Sequence, residues 1–231
     1  MKRFFFRTPL GRDFKLTGME QNHLANVVRS RAGEEIIVCC GDEFDYKYQI
    51  VDIKKHETAL KFIEKAPNLC NPCTDLTVFL ALIKPDCLSI AVQKLNEIGV
   101  TDLVLFNAEY CNVPKVNLEK LSIMAEQSCK QCGRSIPMRV KQSRDIYTDL
   151  KSFDAIYLAD ENQKTNPIKP NKTQGKTAVI IGPEGGFSAK EHEIWCNMSN
   201  ILHIGLGSRI LRAETASIVA ATLILKNMGE I

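Results

Sequence analysis

The sequence predicts a parallel-sheet α/β protein preceded by a small β-barrel, and three observations carry that prediction. Short β-like runs separated by turns fill the first 65 or so residues, interrupted by one helix. Continuous apolar strands alternating with amphipathic helices fill most of the remainder. Between them, residues 66–74 carry two prolines and no periodicity, which marks a linker.

In the first part, the run at 35–39 is followed by a Gly-Asp-Glu turn at 41–43, then by runs at 46–51 and 58–63. A helix is predicted near 20–29. Residues 76–83 form an unbroken apolar stretch, as expected of a strand covered on both faces. A helix over 86–98 follows, with Leu88, Ala91, Val92, Leu95 and Ile98 on one stripe and Gly99 as its stop. A strand is predicted at 102–106, a helix at 118–132, and further strands at 155–159, 177–181 and 201–205. Residues 164–176 read as a polar loop. The final helix, 214–228, is apolar on most sides and should be substantially buried. The expected division is therefore 1–70 for the barrel and 71–231 for the α/β domain.

Of the 231 residues, 45% are hydrophobic and 25% charged, the composition of an ordinary globular protein. No apolar run approaches the roughly 18 residues that a bilayer-spanning helix needs. Only three phenylalanines separate Arg3 from Arg7, too few for the core of a secretory signal. These features predict a cytoplasmic protein with no membrane partner. Nine cysteines then imply free thiols in a reducing compartment. Cys70/Cys73 and Cys129/Cys132 have the CxxC spacing of a zinc site, but one pair falls in the linker and the other at a helix end. No metal is expected.

The net charge of +3 is unevenly spread. Residues 1–31 hold seven cations and two carboxylates, and residues 127–144 hold five cations and no carboxylate. Such clusters suggest an anionic partner, with solvated faces as the bland alternative.

The chemistry concentrates in two segments. Residues 177–191 read as a buried strand, a glycine-rich turn (Gly182-Pro-Glu-Gly-Gly186) and a helix start with Ser188 and Glu191 at capping-box spacing. The turn lacks both GxGxxG and GxxxxGK[ST], and Glu184 would repel phosphate. A ligand with hydroxyls or a positive centre remains acceptable there. The second segment, residues 206–216, follows another apolar strand. Gly207 suits close backbone approach, and Leu206, Ile210 and Leu211 are suited to wall a pocket for a flat ring. Arg212 and Glu214 either form an intramolecular ion pair or serve the ligand.

The strings GPEGGFSAKE (182–191) and LGSRILRAETA (206–216) resemble the signature loops of the SPOUT methyltransferases. More closely, they resemble the 16S ribosomal RNA uridine N3-methyltransferase family. QKLNEIGV at 93–100, QCGR at 131–134 with Pro137, and HLANVVR at 23–29 with Gly33 extend the resemblance over nearly the whole chain. It implies a PUA-like RNA-binding barrel joined to a trefoil-knotted parallel-sheet domain, working as a homodimer on 16S ribosomal RNA or the 30S subunit. It implies S-adenosylmethionine as cofactor, held by Ile181, Gly182, Glu184, Gly186, Leu206, Gly207, Ile210 and Leu211. Arg212 would stabilise the uracil anion, and Glu214 would either take the proton or orient Arg212. Arg134 would bind RNA phosphate or complete the site from the other subunit. Arg7, Arg12, Arg29, Arg31 and Lys84 would contact RNA phosphates. The chain departs from the family pattern at Tyr110, where arginine is common, and at Pro85 and Cys87, where glycine and lysine are usual. Two rivals stay open: a SPOUT enzyme with another target, such as a tRNA ribose 2′-O-methyltransferase, and a non-catalytic ribosome-assembly factor.

Overall fold

A computed structural model describes residues 1–7, 10–111, 115–160 and 175–231. All but the last two residues of the polar loop expected at 164–176 lie outside them. The chain divides into two compact units, residues 1–71 with 126–137, and residues 72–125 with 138–231.

The first unit is built on β1 (Lys2–Phe5), β2 (Phe14–Thr17), β3 (Glu35–Cys39), β4 (Phe44–Ile53) and β5 (Glu57–Pro67). They form one mixed sheet in the order β1-β3-β4-β5-β2, with β1 parallel to β3 and the other pairs antiparallel. Register shifts between Lys47 and Tyr48 and between Ile50 and Asp52 interrupt the longest ladder, as bulges do where a sheet curls. The concave core holds Phe4, Leu16, Leu24, Ile36, Val38, Tyr48, Ile50 and Leu60. The result is a half-barrel, because among the described residues the edge strands β1 and β2 do not pair with each other.

Two local differences from expectation have physical causes. The helix predicted over 20–29 is one α-helical turn, α1 (Gly18–Asn22), continued by a π-helical turn at His23–Val27. The sequence Asn-His-Leu-Ala-Asn-Val-Val is poor in strong helix formers, and the chain leaves it through Arg29 at φ +53°. Strand β5 also runs two residues into the expected linker, to Pro67. Proline is tolerated there because β2 pairs only with residues 57–60, so the end of β5 has a ladder on one side only.

Residues 126–137 complete this unit. Cys129 packs with Phe5 and Cys39. The Asn71 side chain accepts from the backbone N–H groups of Ser135 and Ile136, each at 3.0 Å. Arg3 grips Asp45 through two bonds of 2.7 Å. Burial alone would raise the Asp45 carboxyl, but Arg3 and Asn68 outweigh it and hold it below the usual carboxylate range.

The second unit has an all-parallel sheet of six strands in the order β11-β9-β10-β6-β7-β8. These are β6 (Leu76–Ala81), β7 (Asp102–Phe106), β8 (Arg139–Gln142), β9 (Ala155–Ala159), β10 (Thr177–Ile181) and β11 (Ile201–Ile204). The helices are α2 (Pro85–Glu97), α3 (Leu118–Cys132), α4 (Ile146–Leu150), α5 (Ala189–Asn197) and α6 (Ala213–Met228). Strand alternation sorts the apolar residues into two layers. Leu76, Val78 and Leu80 pack with Leu88, Val92, Ala220 and Ile224 of α2 and α6 on one face. Phe79, Ala81, Ile156 and Ile180 pack with Leu150 and Trp195 of α4 and α5 on the other. Helix α6 buries one face made largely of small residues, Ala213, Ser217, Ala220 and Ala221, which lets it lie close to α2. Leu223 on its outer side stays 41% exposed.

Candidate functional site

Strand order creates the site. Ligands of open parallel sheets bind beyond the carboxyl ends of the strands, and here β11, β9 and β10 are neighbours. The segments leaving them converge on one cavity of about 570 Å³. Ala159 and Asp160 come from the end of β9, residues 181–184 with Gly186 and Phe187 from the end of β10, and residues 206–212 from the segment after β11. Ala213 and Ala216 of α6 and His192 of α5 complete the wall.

All eight residues expected to hold a cofactor line this cavity: Ile181, Gly182, Glu184, Gly186, Leu206, Gly207, Ile210 and Leu211. Their glycines serve different ends. A Cβ on Gly182 would lie 3.0–3.3 Å from the Phe187 ring, so this glycine admits a neighbouring side chain rather than a ligand. Gly186 has φ +72° and closes the turn by donating to the Pro183 carbonyl at 2.9 Å. Gly207, at φ +109°, has nothing within 4 Å of where a Cβ would point. At Gly207 open space thus meets a bare backbone, the arrangement a closely approaching ligand requires. Ile210 is 86% exposed at the cavity, an apolar surface left open.

The glycine turn is fixed by the helix that follows. Ser188 Oγ accepts from the Glu191 N–H at 3.3 Å, and Glu191 Oε2 accepts from the Ser188 N–H at 2.9 Å, a complete capping box at the position the sequence predicts.

Arg212 lines the cavity and is the N-cap residue of α6, though its side chain makes no capping bond. Glu214, two residues on, is 7% exposed, and its Oε2 is buried without a hydrogen-bond partner. Among the described residues these two do not pair, so the ion pair that would have explained both blandly is absent. An unpartnered buried carboxylate oxygen costs free energy and calls for a functional explanation. Burial pushes the nearby Cys87 thiol up, and the Glu214 and Glu184 carboxylates add to that. A side chain that stays neutral thus faces Glu214 from α2.

Arg134 lies in the first unit, just past Gly133, which ends α3 at φ +92°. It is only 3% exposed and donates through Nε to the Ile136 carbonyl at 3.1 Å. Arg7 is exposed and pairs with Glu126 at 3.0 Å. Arg12, Arg29, Arg31 and Lys84 are exposed and, among the described residues, have no carboxylate within ion-pair distance.

Three of the five cations in the acid-free run at 127–144 pair with carboxylates distant in sequence. Lys130 pairs with Glu20 at 2.6 Å. Arg139 and Lys141 both pair with Asp102. Burial would raise the Asp102 carboxyl, but these cations outweigh it and hold it below the usual range. Those three cations therefore have structural partners within the protein. Among the described residues no group of three or more His, Cys, Asp and Glu is placed to hold a metal ion, and no helix is long and apolar enough to cross a membrane.

Sequence reasoning gave no role to Asp160, His192, Phe187 and Ser208 of the cavity wall. Asp160 had a legible signal, a polar residue at the carboxyl end of a buried parallel strand.

Comparison with known proteins agrees with this geometry. A model described as an RNA methyltransferase domain matches residues 70–225, and one described as an RNA methyltransferase PUA domain matches residues 16–63. Ribosomal RNA small subunit methyltransferase E of Mesomycoplasma hyopneumoniae is 30% identical, covering 98% of this chain and 100% of the relative. The protein of the same name from Rickettsia conorii is 28% identical, covering 94% and 92%. The crystal structure of ribosomal RNA small subunit methyltransferase E from Neisseria gonorrhoeae bound to S-adenosyl methionine shares the fold. Its TM-score is 0.86 at 22% identity, covering 98% of this chain and 97% of that one. With more than half of its length matched by the first model and a 30%-identical relative aligned end to end, the chain belongs to the RNA methyltransferase family, in the branch named ribosomal RNA small subunit methyltransferase E.

Proposed function

We propose that this protein transfers a methyl group from S-adenosylmethionine to N3 of a uridine in 16S ribosomal RNA, as a cytoplasmic homodimer. Residues 1–70 then serve as the RNA-binding barrel and residues 71–231 as the SPOUT methyltransferase domain. The observation that carries this reading is the single cavity in which both glycine-bearing loops meet Arg212. The residues fit the cofactor. Apolar Leu206, Ile210 and Leu211 suit the adenine ring, the open backbone at Gly207 suits close approach, and the Glu184 carboxylate suits ribose hydroxyls and a positive sulfonium.

When bound, S-adenosylmethionine supplies an electrophilic methyl group. The protein has two tasks. Uracil N3 carries a proton at neutral pH that must leave before or during attack, and the resulting anion needs stabilisation. Arg212, unpaired at the cavity wall, takes the second task. Glu214 takes the first; among the described residues it forms no ion pair with Arg212, which favours proton acceptance over orienting Arg212. Arg7, Arg12, Arg29, Arg31 and Lys84 contact RNA phosphates in this reading. Arg134, buried beside the Ile136 carbonyl, positions local backbone or completes the partner subunit's site rather than meeting phosphate from the surface.

Incubation with S-adenosylmethionine and small ribosomal subunits lacking the modification, followed by mass-spectrometric mapping of 16S RNA, tests the proposal. N3-methyluridine at one position is expected. Methylation of a ribose in transfer RNA instead would favour the rival SPOUT reading. Absence of any S-adenosylmethionine binding by calorimetry, with and without RNA, would favour the assembly-factor reading.

The phosphate contacts have their own test. Replacing Arg29 and Arg31 by glutamine should lower the slope of log affinity against log salt by roughly 1.5, since each phosphate contact contributes about 0.7–0.9. An unaltered slope would make the two arginines a solvated face.

A further inference from the structure

We infer that the segment after β7 braces the glycine-rich turn from outside, with Glu109 as a positioning residue for the cofactor site. The inference rests on the reading of that site given above. Its basis is an extension of the capping box into a second loop. The buried Ser188 hydroxyl accepts from Glu191 N–H inside its own helix start, and donates its hydrogen to Glu109 Oε2 at 2.7 Å. Glu191 divides its two oxygens in the same way. Oε2 accepts from the Ser188 N–H, and Oε1 accepts from the backbone N–H of Glu109 at 3.0 Å.

Two hydrogen bonds thus cross between the loops in opposite senses, closing a ring through Ser188, Glu191 and Glu109. An ordinary capping box has no need of the second loop. The packing agrees. A Cβ on Gly185 would lie 3.3 Å from Tyr110 Cβ, so the turn is seated directly on Tyr110. On its other side the Phe187 ring covers Gly182. The turn therefore has contacts on both sides, and the outer set comes from Glu109 and Tyr110. Neither residue lines the cavity. Their effect reaches a ligand only through the position of residues 182–187.

Glu109→Ala removes the acceptor of the Ser188 hydroxyl, and Glu109→Gln keeps an acceptor oxygen. The experiment measures amide hydrogen exchange of residues 182–191 without ligand, together with the Kd and KM for S-adenosylmethionine and kcat at saturation. Glu109→Ala should speed exchange in that turn and raise Kd and KM about five- to tenfold, the scale of one lost hydrogen bond. Its kcat and melting temperature should stay near wild type, and Glu109→Gln should restore Kd to within about twofold. Unchanged exchange and unchanged Kd in Glu109→Ala would overturn the inference, as would a Gln variant no better than Ala. Faster exchange in a protein whose wild type binds no S-adenosylmethionine would uphold the brace and sink the cofactor reading instead.

Discussion

Arg212→Ala should lower kcat by about 100- to 1,000-fold while leaving the Kd for S-adenosylmethionine within about threefold, the range for removing one preorganised charge stabiliser. The structure makes this substitution unusually clean. Arg212 occupies the N-cap position of α6 without a side-chain capping bond, so the helix start loses no hydrogen bond. The side chain is exposed, and among the described residues no carboxylate is left unpaired by its removal. Stability should therefore change by less than about 0.5 kcal/mol, as for an ordinary surface position. Arg212→Lys keeps the charge and loses the planar fork, so it should recover only part of the loss. Single-turnover rates with saturating S-adenosylmethionine and RNA provide the measurement. A kcat within about threefold of wild type would remove Arg212 from the reaction and move the charge-stabilising role to Arg209, the other arginine on the cavity wall.

Where local sequence alone determines structure, the elements were legible to within a residue. Strands at 102–106, 155–159 and 177–181 are buried along nearly their whole length and bounded by turn residues. The helix at 118–132 ends at Gly133, whose left-handed conformation a glycine stop requires. Strand β8 and helix α4 were not legible, for opposite reasons. β8 is a four-residue edge strand with no fully buried residue, so its outward positions read as loop. α4 has five residues, too few to display a helical period.

The site divides along the same line. The two glycine segments announce themselves because each is continuous in sequence, and their meeting in one cavity follows once β10 and β11 flank β9. Asp160 and His192 arrive from elsewhere and carry no local pattern. Charge was the poorest guide. Three of the five cations at 127–144 pair with Glu20 or Asp102, neither of which is near the run in sequence. A knot, which the resemblance of whole motifs implies, would leave no periodic signature in the sequence.

Glu214→Gln is expected to separate chemistry from folding. A buried carboxylate whose Oε2 lacks a partner is a net cost to the folded state, so removing its charge should leave stability unchanged or raise it by about 1 kcal/mol. If Glu214 receives the N3 proton, the same change should lower kcat by about 100- to 10,000-fold, the usual contribution of a positioned general base. The two effects thus have opposite signs, which a merely structural residue would not produce. Glu214 does not itself line the cavity; it lies behind the wall, between Ala213 and Ala216, which do, and two residues from Arg212. Cys87, held neutral by burial and by the Glu214 and Glu184 carboxylates, meets Glu214 as a thiol hydrogen-bond partner and not as a cation. Restoring a cation there gives a second arm. Cys87→Lys should supply the missing partner, raise the melting temperature, and reduce turnover by engaging the free oxygen. Thermal unfolding and single-turnover methylation of both variants decide the matter. A Gln variant that keeps kcat within about threefold, or one that loses kcat and stability together, would remove Glu214 from proton transfer.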